Sequence, residues 1–260
     1  MSTEATYEDL LDALGRSGCA ICRLATRRAD RFLASYIYEH VNDVDLRSQI
    51  RSSRGFCEPH GEQFLEKLDA LAVAITYRDI LNSLLVELDA SPYERGSSGA
   101  FSRLIANPWR RLRARLAGVR GREVLAESAR CPVCIAESAA GERAMDVLAQ
   151  QIKDEKLSRT LAEGDPLCLA HTQGALRRSG WMPALMSRQH QGWSELRDRL
   201  LEFIRKSDHN HRWEELTDAE RAAIVTSVRT VTGTRARPAD DASAETRKLR
   251  RGGTNARRAP

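Results

Sequence analysis

The chain has 260 residues, of which 42% are apolar, 30% charged and only 5% aromatic. That is enough for one large core or two smaller ones, and the wealth of Ala, Leu, Arg and Glu favours helices over sheets. No apolar run approaches the roughly 18 to 20 residues of a membrane span. The net charge of +5 resides in the last stretch: residues 233–260 hold eight basic and three acidic side chains, so residues 1–232 are neutral overall.

The N-terminal "MSTEATYEDLLDALG" is acidic and amphipathic and predicts a short helix within residues 1–16. It lacks the basic and apolar regions of a secretory signal, so the expected location is cytoplasmic. Thiols stay reduced there, which argues against a disulfide framework for the six cysteines.

Residues 17–90 predict a first helical module. A helix follows the CxxC of Cys19 and Cys22, with Leu24, Phe32, Tyr36 and Ile37 at helical spacing. Asp43 and Asp45 can cap a short second helix carrying Leu46 and Ile50, which Ser52 to Gly55 break. One long helix is expected from Cys57, through the apolar stripe of Leu65, Leu68, Leu71, Ala72, Ile75 and Leu81.

Residues 91–128 form a basic linker. Its stretch 101–122 has seven arginines and no acid. Ile105, Trp109, Leu112, Leu116 and Val119 fall on one helical face, with Asn107 and Pro108 suited to its start. Residues 129–207 predict a second module: helices after Cys134, around Leu157 and after Cys168, then a long one from Pro183 through Trp193, Leu196, Leu200 and Ile204. Residues 208–232 hold a last helix, opened by the capping box Thr217-x-x-Glu220 and ended by Gly233. The tail 233–260 lacks aromatics and helical periodicity and reads as disordered.

The six cysteines fall into Cys19-x-x-Cys22, Cys57-x-x-His60, Cys131-x-x-Cys134 and Cys168-x-x-His171. Between the second and third ligands of each set lie 34 residues in the first module and 33 in the second. "DVDLRSQIRSSRGFCEPH" overlays "DEKLSRTLAEGDPLCLAH" at a constant offset of 111, matching Asp43 with Asp154, Leu46 with Leu157, Ile50 with Leu161 and Phe56 with Leu167. An all-α fold of two similar zinc-stapled modules, an internal duplication, is therefore expected.

Two residues three apart reach one ion from a single turn, and two such pairs complete a tetrahedral Cys3His shell. The expected sets are Cys19, Cys22, Cys57 and His60, and Cys131, Cys134, Cys168 and His171, each stapling its own module with one zinc ion. Iron–sulfur is the alternative metal, although the dense cysteine run of such sites is missing. Covalent haem is excluded because Arg23 and Ile135 stand where CxxCH needs histidine. His60-Gly61-Glu62 has the H-x-E form of zinc deaminases, but Pro132 sits inside the CxxC and the repeat accounts for His60.

"CAICRLATRRADRFLASYIYEHVND", "RGFCEPH", "CPVC", "LCLAH" and "EFIRKSDHNHRW" together resemble an uncharacterised bacterial family. Its members carry paired CxxC and CxxH motifs, a Tyr-Glu-x-x-Asn-Asp segment and a C-terminal Arg-Lys-x-Asp segment. Here these are Tyr38, Glu39, Asn42 and Asp43, and Arg205, Lys206 and Asp208. The resemblance covers most of residues 17–232, departs after Asp208, and implies no activity.

The functional expectation is a non-catalytic zinc protein that binds nucleic acid or an acidic protein through Arg103, Arg110, Arg111, Arg113, Arg115 and the tail. The competing class is a zinc-thiolate redox sensor or a zinc or iron–sulfur enzyme. His209 and His211 beside Asp208 read as a polar loop, His40 and His190 as structural or solvated, and Glu39 as a possible partner of a ligand histidine.

Overall fold

The computed structural model describes residues 3–90, 126, 128–211 and 213–234, and among these every regular element is helical. The helices are α1 (Thr3–Leu14), α2 (Ala20–Ser35) continuing into a π turn (Tyr36–His40), α3 (Val44–Ser52), α4 (Glu58–Leu65) and α5 (Ala70–Ala90). After the gap come α6 (Pro132–Gln151), α7 (Glu155–Glu163), α8 (Leu169–Ser179), α9 (Pro183–Ser207) and α10 (Asp218–Thr232). The basic stretch with Arg103, Arg110, Arg111, Arg113 and Arg115, and the tail from Arg235 onward, lie outside the described residues.

The chain forms two compact units, each with its own core. A terminal unit comprises the chain up to Arg28 and from Glu137 onward; a central unit comprises Ala29–Ala136. The cuts fall inside α2 and α6, not at the module boundaries near residues 90 and 129 that the sequence suggests.

In the terminal unit, Leu10 and Leu14 of α1, Ile21 of α2, Leu148 of α6, Leu157 and Leu161 of α7, Ala175 of α8 and Leu185 of α9 share one buried cluster. Burial of each such leucine contributes about 2 kcal/mol. Asp154 caps α7 by accepting from the Leu157 N–H (2.8 Å), and it also accepts from the Tyr7 hydroxyl (2.5 Å), which ties α1 to α7. α10 packs on α8 and α9 and has the expected capping box, with Gly233 at its end. Lys206 of α9 reaches the Glu220 carboxylate at 2.8 and 3.0 Å, both side chains largely buried, and Arg205 bridges Glu202 and Glu214.

In the central unit, Tyr36, Phe56 and Phe64 pack with ring centroids 5.1 to 5.9 Å apart. Ala29, Leu33, Ile50, Ala72, Ile80 and Val133 surround them. Asp43 caps α3 as Asp154 caps α7, accepting from Leu46 N–H at 2.8 Å. α3 ends where Arg54 (φ 55°) and Gly55 (φ 100°) turn left-handed, and the Gly55 N–H closes on Ile50 O at 2.8 Å. Arg54 is held there by Glu87 at 2.7 and 2.6 Å.

The single long helix expected from Cys57 is two helices. Leu68 turns left-handed (φ 57°) and Asp69 opens α5 by accepting from Ala72 N–H at 2.8 Å. The apolar stripe misled because Leu65, Leu68, Leu71 and Leu81 are exposed, Leu68 at 89%; the core takes Phe64, Ala72 and Ile80 instead.

Candidate metal centres

All four motifs open helices. Cys57 and Cys168 are the N-caps of α4 and α8, with extended backbone (ψ 163° and 160°). Cys19 and Cys131 immediately precede α2 and α6, and their carbonyls accept from the N–H groups of Arg23 and Ile135 at 3.1 Å. The second member of each motif therefore stands in the first turn, three residues on. This is the relation that joins the two side chains of a capping box, here made with sulfur and imidazole in place of hydroxyl and carboxylate. Helix N-termini also favour thiolate over thiol.

The helices meet in pairs, and the pairing differs from the expected one. Cys19 and Cys22 join Cys168 and His171 in the terminal unit, while Cys57 and His60 join Cys131 and Cys134 in the central unit. Each centre thus takes its CxxC from one module and its CxxH from the other. Helix length explains the correction. α2, with sixteen residues, carries the chain about 24 Å outward, but the nine-residue α3 returns only about 13 Å. α6 and α7, with twenty and nine residues, repeat the mismatch. Neither CxxH motif is carried back to its own CxxC.

In the terminal centre, His171 Nδ1 lies 3.5, 3.3 and 3.2 Å from the Sγ atoms of Cys19, Cys22 and Cys168, and the last two sulfurs are 3.7 Å apart. In the central centre, His60 Nδ1 lies 3.2, 3.8 and 3.3 Å from Cys57, Cys131 and Cys134, with Cys57 and Cys134 3.4 Å apart. Ligands about 2.0 to 2.3 Å from a common tetrahedral centre are about 3.3 to 3.8 Å apart, so both sets fit one metal ion each. All six cysteines are free, with none in a disulfide.

Short donor–acceptor contacts divide the protons unevenly. Hydrogen bonds from Cys19 and Cys22 hold the Cys168 thiol far below its ordinary range, while its bond with Cys168 pushes Cys22 up. Burial opposes charge on His171, yet its bonds with Cys168 and Cys19 raise it to about 9. Burial raises Cys134 to about 12; Cys131, although buried, is drawn down to about 6 by His60 and by backbone N–H groups. Such clusters of thiol, thiolate and imidazolium are sites where a cation readily replaces protons.

The surroundings position the ligands. Gly18 (φ 86°) donates its N–H to Asp165 at 2.7 Å, joining the segments before Cys19 and Cys168. Buried Gln189 clamps the residue before Cys168: Leu167 N–H donates to its Oε1 (2.9 Å), and its Nε2 donates to Leu167 O (2.8 Å) and Thr172 Oγ1 (2.5 Å). In the central unit, Tyr77 packs against the cluster that contains Phe56, the residue before Cys57. The Ser128 and Ala129 N–H groups donate to Ser52 O at 3.0 and 3.2 Å. Gln189 and Tyr77 escaped the sequence reading because a lone Gln or Tyr on a helix carries no spacing signal.

Glu39 is not a partner of a ligand histidine; its bonds are to Ser35 and His40 at the surface. His209 is exposed, and His211 pairs with Glu214 at 3.2 Å.

The fold and its sites define an all-helical protein with two Cys3His clusters able to hold metal. No helix among the described residues is long and apolar enough to cross a membrane. The chain belongs to the family of unknown function DUF6062, which it matches over residues 8–237. An uncharacterised 23.9 kDa protein in the xynA 3′ region of Caldicellulosiruptor sp. (strain Rt8B.4) is 42% identical over 65 residues, 25% of this chain and 32% of that protein. The chain thus spans about a third of that relative's length. No solved structure matches the chain.

Proposed function

We propose that each centre holds one zinc ion as a structural staple, and that the protein is a non-catalytic zinc protein engaging a macromolecule. The observation that carries the reading is the completeness of each ligand set: four protein ligands leave no position for a substrate or an activated water. Three soft thiolates and one imidazole suit zinc. The matched nine-residue helices α3 and α7, each capped by Asp through the third residue on, support descent of the two halves from one module. Reduced cysteines suit a cytoplasmic setting.

Metal analysis of the purified chain tests the staple. Two zinc ions per chain are expected, with loss of helicity on chelation and recovery on zinc return; iron with sulfide overturns the assignment. The partner is a polyanion, nucleic acid or an acidic protein, met by Arg103, Arg110, Arg111, Arg113, Arg115 and the tail. Binding to DNA, RNA or an acidic peptide that weakens steeply with salt supports it; no salt-sensitive binding to any of them refutes it.

A second reading, a thiolate redox sensor, is favoured by the partial exposure of Cys19, Cys57 and Cys134. It requires zinc release under mild peroxide, and retained zinc with unchanged helicity excludes it.

A further inference from the structure

The terminal centre has a contributor beyond its two ligand motifs. α10 ends at Thr232, and Gly233 turns the chain with φ 79° while its N–H closes on Arg229 O at 2.9 Å. The turn delivers the next amide to the cluster: Thr234 N–H donates to Cys22 Sγ at 3.4 Å. An added Cβ at Gly233 would come 3.7 Å from Cys168 Sγ and 4.0 Å from Cys22 Sγ, so the turn lies beside two of the three sulfurs. Cys22 is 4% exposed.

We propose that the Gly233–Thr234 turn is an outer part of this metal centre. Its amide stabilises the Cys22 thiolate, and the bound metal in turn fixes the C-terminal end of α10. The inference rests on the zinc reading above. Three features support it.

First, the turn is placed by a rigid element. α10 is anchored at its start by the capping box and by the buried Lys206–Glu220 pair, and it packs on α8, whose N-cap is Cys168. Second, the left-handed conformation demands glycine at 233, the residue type present. Third, an N–H donor disperses thiolate charge in a site where three sulfurs crowd one cation, and such outer partners typically govern metal retention by about 10- to 100-fold. The terminal centre recruits its amide from a helix end more than 60 residues beyond its last ligand.

The test uses zinc-loaded full-length protein challenged with EDTA in the presence of N-ethylmaleimide, with labelling of each cysteine followed by peptide mass spectrometry. Thr234→Pro removes the N–H donor. Labelling of Cys19, Cys22 and Cys168 is expected to accelerate about tenfold, with Cys57, Cys131 and Cys134 unchanged. A paired comparison guards against misfolding of that variant: a chain ending at Thr234 should label like the full chain, and one ending at Thr232 like Thr234→Pro. Unchanged labelling in zinc-loaded Thr234→Pro and in the chain ending at Thr232 overturns this inference alone. So does equal acceleration at all six cysteines, or acceleration in the chain ending at Thr234. A purified chain that takes up no zinc overturns the staple reading, and this inference with it.

Discussion

Cys22 Sγ lies 3.7 Å from Cys168 Sγ although 146 positions separate them, and the nearer motif in sequence, Cys57 with His60, belongs to the other centre. Ligand substitutions therefore follow spatial sets. Cys22→Ser and Cys168→Ser should each lower metal content from two ions to one, and the double variant no further. Cys22→Ser combined with Cys57→Ser should abolish binding. Metal counting by native mass spectrometry distinguishes this from the pairing within modules, under which Cys22 and Cys57 would share one ion.

The four motifs, the residues that make up the two Cys/His clusters and most helices were legible because each has a local cause. CxxC and CxxH spacings reflect one helical turn, and the caps at Asp43, Asp154 and Thr217 act within three residues. The grouping was not legible from spacing, because the nearly equal separations of 34 and 33 residues suit either pairing. The signal that discriminates is length: sixteen- and twenty-residue helices leave each CxxC, and nine-residue helices return. The break at Leu68 was hidden for a different reason. An apolar residue in left-handed backbone, fully on the surface, obeys neither propensity nor pattern.

Asp43 and Asp154 occupy equivalent caps but differ in what else they hold. Asp43 is exposed and accepts from Leu46 N–H, so Asp43→Ala should cost about 1 kcal/mol. Asp154 also accepts from Tyr7, so Asp154→Ala should lower the melting temperature clearly further, as α1 loses its tie to α7. The hydrogen bond to Asp154 pushes Tyr7 up to about 12. Burial also raises Tyr36 and Tyr77, so the titration is followed ring by ring in NMR: Tyr7 alone should return towards 10 in Asp154→Asn, with the other two unchanged.

Gln189 makes three hydrogen bonds from a fully buried amide, two of them to the backbone of Leu167. Gln189→Leu keeps most of the volume and leaves a buried N–H and C=O without partners, a loss of about 2 to 5 kcal/mol. Because Leu167 precedes Cys168, the terminal centre should also release metal sooner, whereas the central centre keeps its own rate. Denaturant unfolding gives the first quantity, and EDTA-driven metal transfer gives the second. Equal retention at both centres would show that the clamp serves the fold alone.

The α9–α10 connection should weaken in acid in a definable window. The hydrogen bonds of Arg205 to Glu214 hold that carboxyl at about 2, against an ordinary value of 4.5, and Lys206 likewise draws Glu220 below its usual range. A carboxyl depressed by folding supports the folded state fully above its unfolded value. That support is lost as pH falls from about 4.5 towards 2. Stability at this junction is thus expected to be flat near neutrality and to decline only below about pH 4.5. Since α10 carries the turn that lies beside Cys22, loosening should reach the terminal centre by the same route. Carboxyl chemical shifts followed by NMR should place Glu214 at about 2 in the intact protein and back near 4.5 in Arg205→Ala. Glu214 titrating at its ordinary value in the intact protein would remove the basis for this window.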